Sequence, residues 1–89
     1  AVVSRGGRPD LAGEALAKVT TPTLLIVGGR DEMVLDLNEQ ARARLGGPSR
    51  LDVIRGATHL FQEPGTLEQV SELAAAWFVE HFEAANAAA

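Results

Sequence analysis

An α/β fold, in which a parallel sheet is sandwiched between helices as three layers, is what this sequence predicts, from three observations. The run Thr23-Leu24-Leu25-Ile26-Val27 is continuously apolar rather than alternating, the pattern of a strand buried on both faces. Apolar residues of helical period follow it and return near the end of the chain. Strand-like and helical segments alternate throughout, an order that implies right-handed crossovers and a parallel sheet.

The elements follow in order. Ala1 to Ser4 is a short apolar run, stopped by the breaker-rich stretch Arg5-Gly6-Gly7-Arg8-Pro9. Domains commonly begin with a solvated end, so a chain that opens inside a strand is expected to have been cut from something longer. Asp10 is placed to cap a short helix reaching about Val19, with Leu11, Ala15, Leu16 and Val19 on one side. Gly13 weakens that helix, and Pro22 keeps Thr21 extended.

The strand at Thr23–Val27 ends at Gly28-Gly29, and Arg30-Asp31-Glu32 continues as a loop. Leu37, Ala41 and Leu45 then recur at four-residue spacing, an amphipathic helix stopped by Gly46-Gly47-Pro48. Arg50 to Ile54 reads as a further strand, broken at Gly56 and followed by the loop Ala57-Thr58-His59-Leu60-Phe61. After Pro64-Gly65, Thr66 and Gln69 have the spacing of a capping box. Leu67, Val70, Leu73, Ala74, Trp77, Phe78 and Phe82 then form a wide apolar stripe of helical period. One domain over residues 1–83 and a frayed tail over 84–89 complete the expected organisation.

Composition removes several function classes. The chain has 89 residues, 46% of them hydrophobic, and a net charge of −4. This suits one small domain, which buries only a little over ~60% of its unfolded surface. One lysine and seven scattered arginines make no basic stripe, so no nucleic-acid partner is expected. The absence of cysteine rules out a disulfide frame or a thiolate metal site. No apolar run approaches the ~18 residues that span a bilayer, and no signal peptide is legible, so the expectation is a cytoplasmic protein without membrane contact.

Ligands of open parallel sheets collect beyond the carboxyl ends of the strands. Two ionisable residues stand at such ends: Asp31 after Gly28-Gly29-Arg30, and His59 after Gly56-Ala57-Thr58. Taken singly, an Asp after Gly-Gly is usually a turn former, and a His after a strand usually a surface residue. Together, on neighbouring strands, they open on one rim, where a carboxylate can hold an imidazole in one tautomer and stabilise its protonated form. Asp31 and His59 are therefore the candidate catalytic pair.

Other candidates are weaker. Ser4 follows a strand, but Val2 stands where a tight nucleophile turn needs a small residue, and loop breakers rather than a helix follow it. Arg30 could meet an anionic substrate, and Glu32 could replace Asp31 as the acid. Ser71 and His81 read as residues on the face of the last helix, far from both loops. Gly28-Gly29 lacks the features of a phosphate loop. His59, Asp31 and Glu32 have no metal-ligand spacing, so neither a metal nor a cofactor is expected.

The segment Pro22 to Val34, PTLLIVGGRDEMV, resembles the strand and acid loop of α/β-hydrolases, and Gly56 to Phe61, GATHLF, resembles their catalytic-histidine loop. The likeness is nearest to the dienelactone-hydrolase-like group, including hydrolase domains fused behind phosphoribosyltransferases in some bacteria. It runs from the strand at Ala1 to the helix near Phe82. It implies the C-terminal part of the hydrolase fold, with the sixth, seventh and eighth strands of the full sheet. By the same resemblance Asp31 is the triad acid and His59 the triad base, acting on an ester, lactone or similar acyl bond.

One departure is large. The family's nucleophile sits on a Gly-x-Ser-x-Gly elbow ahead of the acid and base, and no such elbow occurs in this sequence. The amides of the oxyanion hole would be missing with it, so the isolated chain is expected to hydrolyse little or nothing. Two alternatives to the enzyme reading stand beside it. One is an inactive remnant that forms a homodimer through its first strand, whose unpaired edge invites pairing. The other is a flavodoxin-like domain, which would need a phosphate-cradling loop after the first strand that is not there.

Overall fold

A computed structural model describes residues 1–88, with side chains through Phe82. Its elements are β1 (Val2–Arg5), a 3-10 segment (Pro9–Lys18), β2 (Thr23–Gly28), α1 (Glu32–Arg44), β3 (Ser49–Ile54) and α2 (Thr66–Ala88). The three strands pair in the order β1-β2-β3, all parallel. Val2 pairs with Thr23, and Thr23 with Ser49, so the strands start and finish nearly level.

Every residue of β2 is buried, as its unbroken apolar run requires of a central strand. Leu24 and Ile26 point to one face, where they meet Ile54, Ala57, Phe61, Val70 and Trp77, with Val3 and Leu73 at the margin. Leu25 and Val27 alternate to the opposite face, which α1 and the 3-10 segment cover with Ala41 and Leu16. The architecture is thus the expected α/β sandwich of helices on a parallel sheet. Each fully buried Leu, Ile or Val contributes roughly 1.5–3 kcal/mol, so β2 is the strand the fold leans on most.

Four local expectations are corrected. The first helix is not α-helical: Pro9–Lys18 is 3-10 and breaks at Gly13, whose φ of 56° and ψ of −126° are not helical. Only Leu16 of its apolar residues is buried, and Leu11 is exposed. Asp10 does not cap it, because both of its oxygens are bound by the Arg8 guanidinium at 2.9 Å.

In α1 the buried positions are Ala41 and Asn38. Asn38 is fully buried because its amide donates to the carbonyls of Val34 at 2.8 Å and Gly7 at 3.0 Å, tying the loop after β1 to the helix.

The expected capping box does not start α2. The Gln69 amide donates to the carbonyl of Gly65 at 3.2 Å, and the Thr66 hydroxyl turns inward, 2.8 Å from the carbonyls of both Phe61 and Glu63. A buried carbonyl needs a donor, and Thr66 serves the β3–α2 loop in place of the helix.

Finally, only part of the α2 stripe is covered. Val70 and Trp77 are buried, whereas Leu67, Phe78 and Phe82 remain exposed. The expected tail at 84–89 falls among residues 83–89, outside the described side chains. Among the described residues, no helix is long and apolar enough to cross a membrane.

Candidate active site

Three loops leave the carboxyl ends of β1, β2 and β3 and meet on one rim. After β2, the Asp31 amide donates to the carbonyl of Gly28 at 3.0 Å, and the Asp31 carbonyl accepts from Leu35 at 2.8 Å to begin α1. Asp31 is therefore the N-cap of α1, yet its side chain makes no capping bond. Leaving an N-cap carboxylate out of its usual role forgoes about 1 kcal/mol of helix stability. Its Oδ2 lies instead 2.8 Å from Nδ1 of His59.

Because a carboxylate only accepts, Nδ1 of His59 is the donor, and Nε2 is left with a free lone pair when the ring is neutral. The Asp31 side chain is 18% exposed and the His59 side chain 56%. The acid is sheltered against the helix N-terminus, a favourable place for negative charge, while the imidazole stands open to the rim. The arrangement can take a proton on Nε2 and stabilise the resulting imidazolium.

The histidine loop is pressed against both neighbouring loops. The Arg30 amide donates to the Ala57 carbonyl at 3.0 Å, and Gly29 to Ile54 at 2.9 Å. A Cβ added to Gly28 would overlap the Ala57 carbonyl and lie 2.7 Å from the Thr58 oxygen. Gly6, at a φ of 61°, sits beneath His59: a Cβ there would meet Nδ1 and Cε1 of the ring at 3.5 Å.

Phe61 closes the loop with a φ of 54°. This conformation costs a non-glycine residue about 1–3 kcal/mol, and burial of its ring, 1% exposed, offsets it. The Arg5 guanidinium covers the same ring, 5.7 Å from its centroid.

Glu63 supplies a feature that nothing in the sequence flagged. Its Oε1 accepts from the Thr58 amide at 2.9 Å, and its Oε2 from the Thr58 hydroxyl at 2.8 Å. The Thr58 amide, then the Thr58 hydroxyl, and more weakly the charge of Arg30 hold the Glu63 carboxyl below its ordinary range. A carboxylate with a lowered folded-state pKa stabilises the fold above its unfolded value and loses that contribution as pH falls through the lower folded value. Asp10, lowered by its hydrogen bond to Arg8, acts in the same direction. Thermal midpoints are therefore expected to fall from about pH 5 to about pH 3, less steeply in Glu63→Gln. Identical slopes for the two proteins would contradict this.

The remaining candidates separate from the rim or stay neutral to it. Ser4 lies within β1, paired with Leu25. Arg30 is exposed, and Glu32 is the exposed first residue of α1. His81 packs against Trp77 at a tilt, with ring centroids 4.0 Å apart, on α2. Ser71 is exposed on the same helix. Among the described residues, no group of three or more His, Cys, Asp or Glu is placed to hold a metal ion.

No family model matches the chain. The crystal structure of a dienelactone hydrolase from Anabaena variabilis superimposes with a TM-score of 0.88 at 56% identity, covering 90% of this chain and 37% of that one. Two curated relatives, from two strains of Mycobacterium tuberculosis and provisionally named phosphoribosyl transferases, are each 65% identical over 81 residues. That match takes in 91% of this chain, which spans only 18% of the length of either relative.

Proposed function

We propose that this chain, whose fold is that of the dienelactone-hydrolase-like α/β-hydrolases, supplies the acid and the base of an acyl-hydrolysing triad. Asp31 orients and stabilises His59, whose Nε2 takes the proton from a serine or cysteine nucleophile and returns it to the leaving group. The substrate class is an ester or lactone. The observation that carries the reading is the 2.8 Å contact between Nδ1 of His59 and Oδ2 of Asp31 at adjacent strand ends. The diverted N-cap supports it, since the acid gives up a local stabilising role to make that contact.

The nucleophile and the oxyanion donors are assigned to sequence outside these 89 residues, where the much greater length of the related proteins leaves room for them. The transferase named in the mycobacterial relatives is assigned likewise to their unmatched length, because the glycines of this segment form no phosphate loop.

A graft tests the proposal. This chain replaces the equivalent segment of the Anabaena variabilis dienelactone hydrolase, and hydrolysis of a dienelactone or an activated ester is measured. The chimera is expected to turn over, while the isolated chain shows no activity above its own His59→Ala variant. A folded chimera without turnover would overturn the reading.

A second reading concerns the 89 residues by themselves. β1 is one edge of the sheet, Val2 is 45% exposed, and Phe78 and Phe82 of α2 are uncovered. An apolar edge strand and uncovered aromatics together favour self-association, with strand addition at β1 forming a homodimer. Light scattering is expected to give the dimer mass at micromolar concentration. A monomer that persists at millimolar concentration would exclude it.

A further inference from the structure

We propose that Glu63 is the positioning residue of the histidine loop, its carboxylate clamping Thr58 so that the His59 ring is held with Nδ1 on Asp31. Packing alone does not hold the ring, because beyond Gly6 beneath it the His59 side chain is more than half exposed, and its neighbour Leu60 is exposed as well. The place of the imidazole is therefore set by the backbone that carries it, residues 58–60.

That backbone is fastened on both sides. On the amino side, the Ala57 amide donates to Ile54 at 3.2 Å and the Ala57 carbonyl accepts from Arg30. On the carboxyl side, the buried Phe61 ring anchors the turn. Between these anchors the residue directly before His59 gives both of its donors, amide and hydroxyl, to the two oxygens of one carboxylate. Two bonds to the two oxygens of one carboxylate fix orientation as well as distance.

The clamp is itself tied to the start of α2, since the Glu63 carbonyl lies 2.8 Å from the Thr66 hydroxyl and accepts the Thr66 amide at 3.2 Å. Glu63 thus connects the placement of His59 to the helix that packs on the sheet. The lowered pKa of Glu63 agrees with this, because the ionised form is the one the loop holds.

The inference depends on the acid–base reading only for its consequence in catalysis, and its test requires no turnover. In the 89-residue chain, hydrogen exchange of the Thr58 amide reports whether the clamp is closed, and ¹⁵N spectra of the His59 ring report its tautomer. In the unsubstituted chain the neutral ring is expected as the Nδ1–H form. Glu63→Ala is expected to speed Thr58 exchange about tenfold or more and to turn the single ring tautomer into a mixture. Thr58→Val, which removes one of the two bonds, is expected to do both in smaller measure, and Thr58→Ser to restore the original behaviour.

If Glu63→Ala does not fold, the Thr58→Val and Thr58→Ser pair carries the same comparison. Faster Thr58 exchange with an unaltered His59 tautomer would reduce the clamp to a loop-stabilising contact and overturn the proposal. An inert graft whose ring responds in the expected way would count against the catalytic role of the pair alone.

Discussion

His59→Ala in the grafted hydrolase is expected to lower turnover about 10,000-fold or more, and Asp31→Asn by a similar factor, with substrate binding little changed. The two losses have different physical causes. Removing the imidazole deprives the nucleophile of its base. Asn at position 31 leaves the shape intact, but its amide can donate to Nδ1 and favour the wrong tautomer, in which the nitrogen facing the nucleophile carries a proton and cannot accept one. The contact at stake is the 2.8 Å approach of Oδ2 to Nδ1. Steady-state kinetics on purified, folded variants decide the matter, and a loss of less than about tenfold for His59→Ala would leave the base unassigned.

Gly28→Ala is expected to cost about 3 kcal/mol, lowering the thermal midpoint by roughly 10–20 °C, whereas Gly29→Ala costs far less. The two glycines are adjacent and look equivalent in the sequence, but their surroundings differ. A Cβ on Gly28 would run into the backbone carbonyls of Ala57 and Thr58, which cannot move without dragging the histidine loop off β2. A Cβ on Gly29 would meet a Val53 methyl group at 3.3 Å and the Ile54 carbonyl at 3.4 Å, contacts that small shifts can relieve. For a domain of this size the larger loss is a substantial fraction of total stability. Circular dichroism melts of the two variants test it, and equal midpoints would show that the β2 end and the histidine loop are not so closely apposed.

What could be read ahead of the structure followed from patterns that physics makes local. The unbroken apolar run of β2 announced burial on both faces, and all six residues from Thr23 to Gly28 are buried. Parallel strands joined through helices must end on one rim, so placing Asp31 and His59 after two such strands was enough to bring them together. The features that escaped depend on contacts between loops.

Glu63 shares no periodicity with Thr58, and the turn between them, with Phe61 at a φ of 54°, folds the one back onto the other. Asn38 carries no apolar signal in the sequence, yet it is buried where its amide donates to the Gly7 carbonyl. The capping box at Thr66 failed for the same kind of reason, since a buried loop carbonyl competes for the hydroxyl and wins. The break at Gly13 was visible as a weak point, though not as a change of helix type.

The account stands on Asp31 and His59 working as one unit, and the turnover of the Asp31→Asn, His59→Ala double variant in the grafted hydrolase tests that most directly. If the carboxylate acts only through the imidazole, the double variant will be no slower than His59→Ala alone. If the two losses multiply instead, the residues contribute independently, and the pairing seen at the sheet rim is not what performs the chemistry.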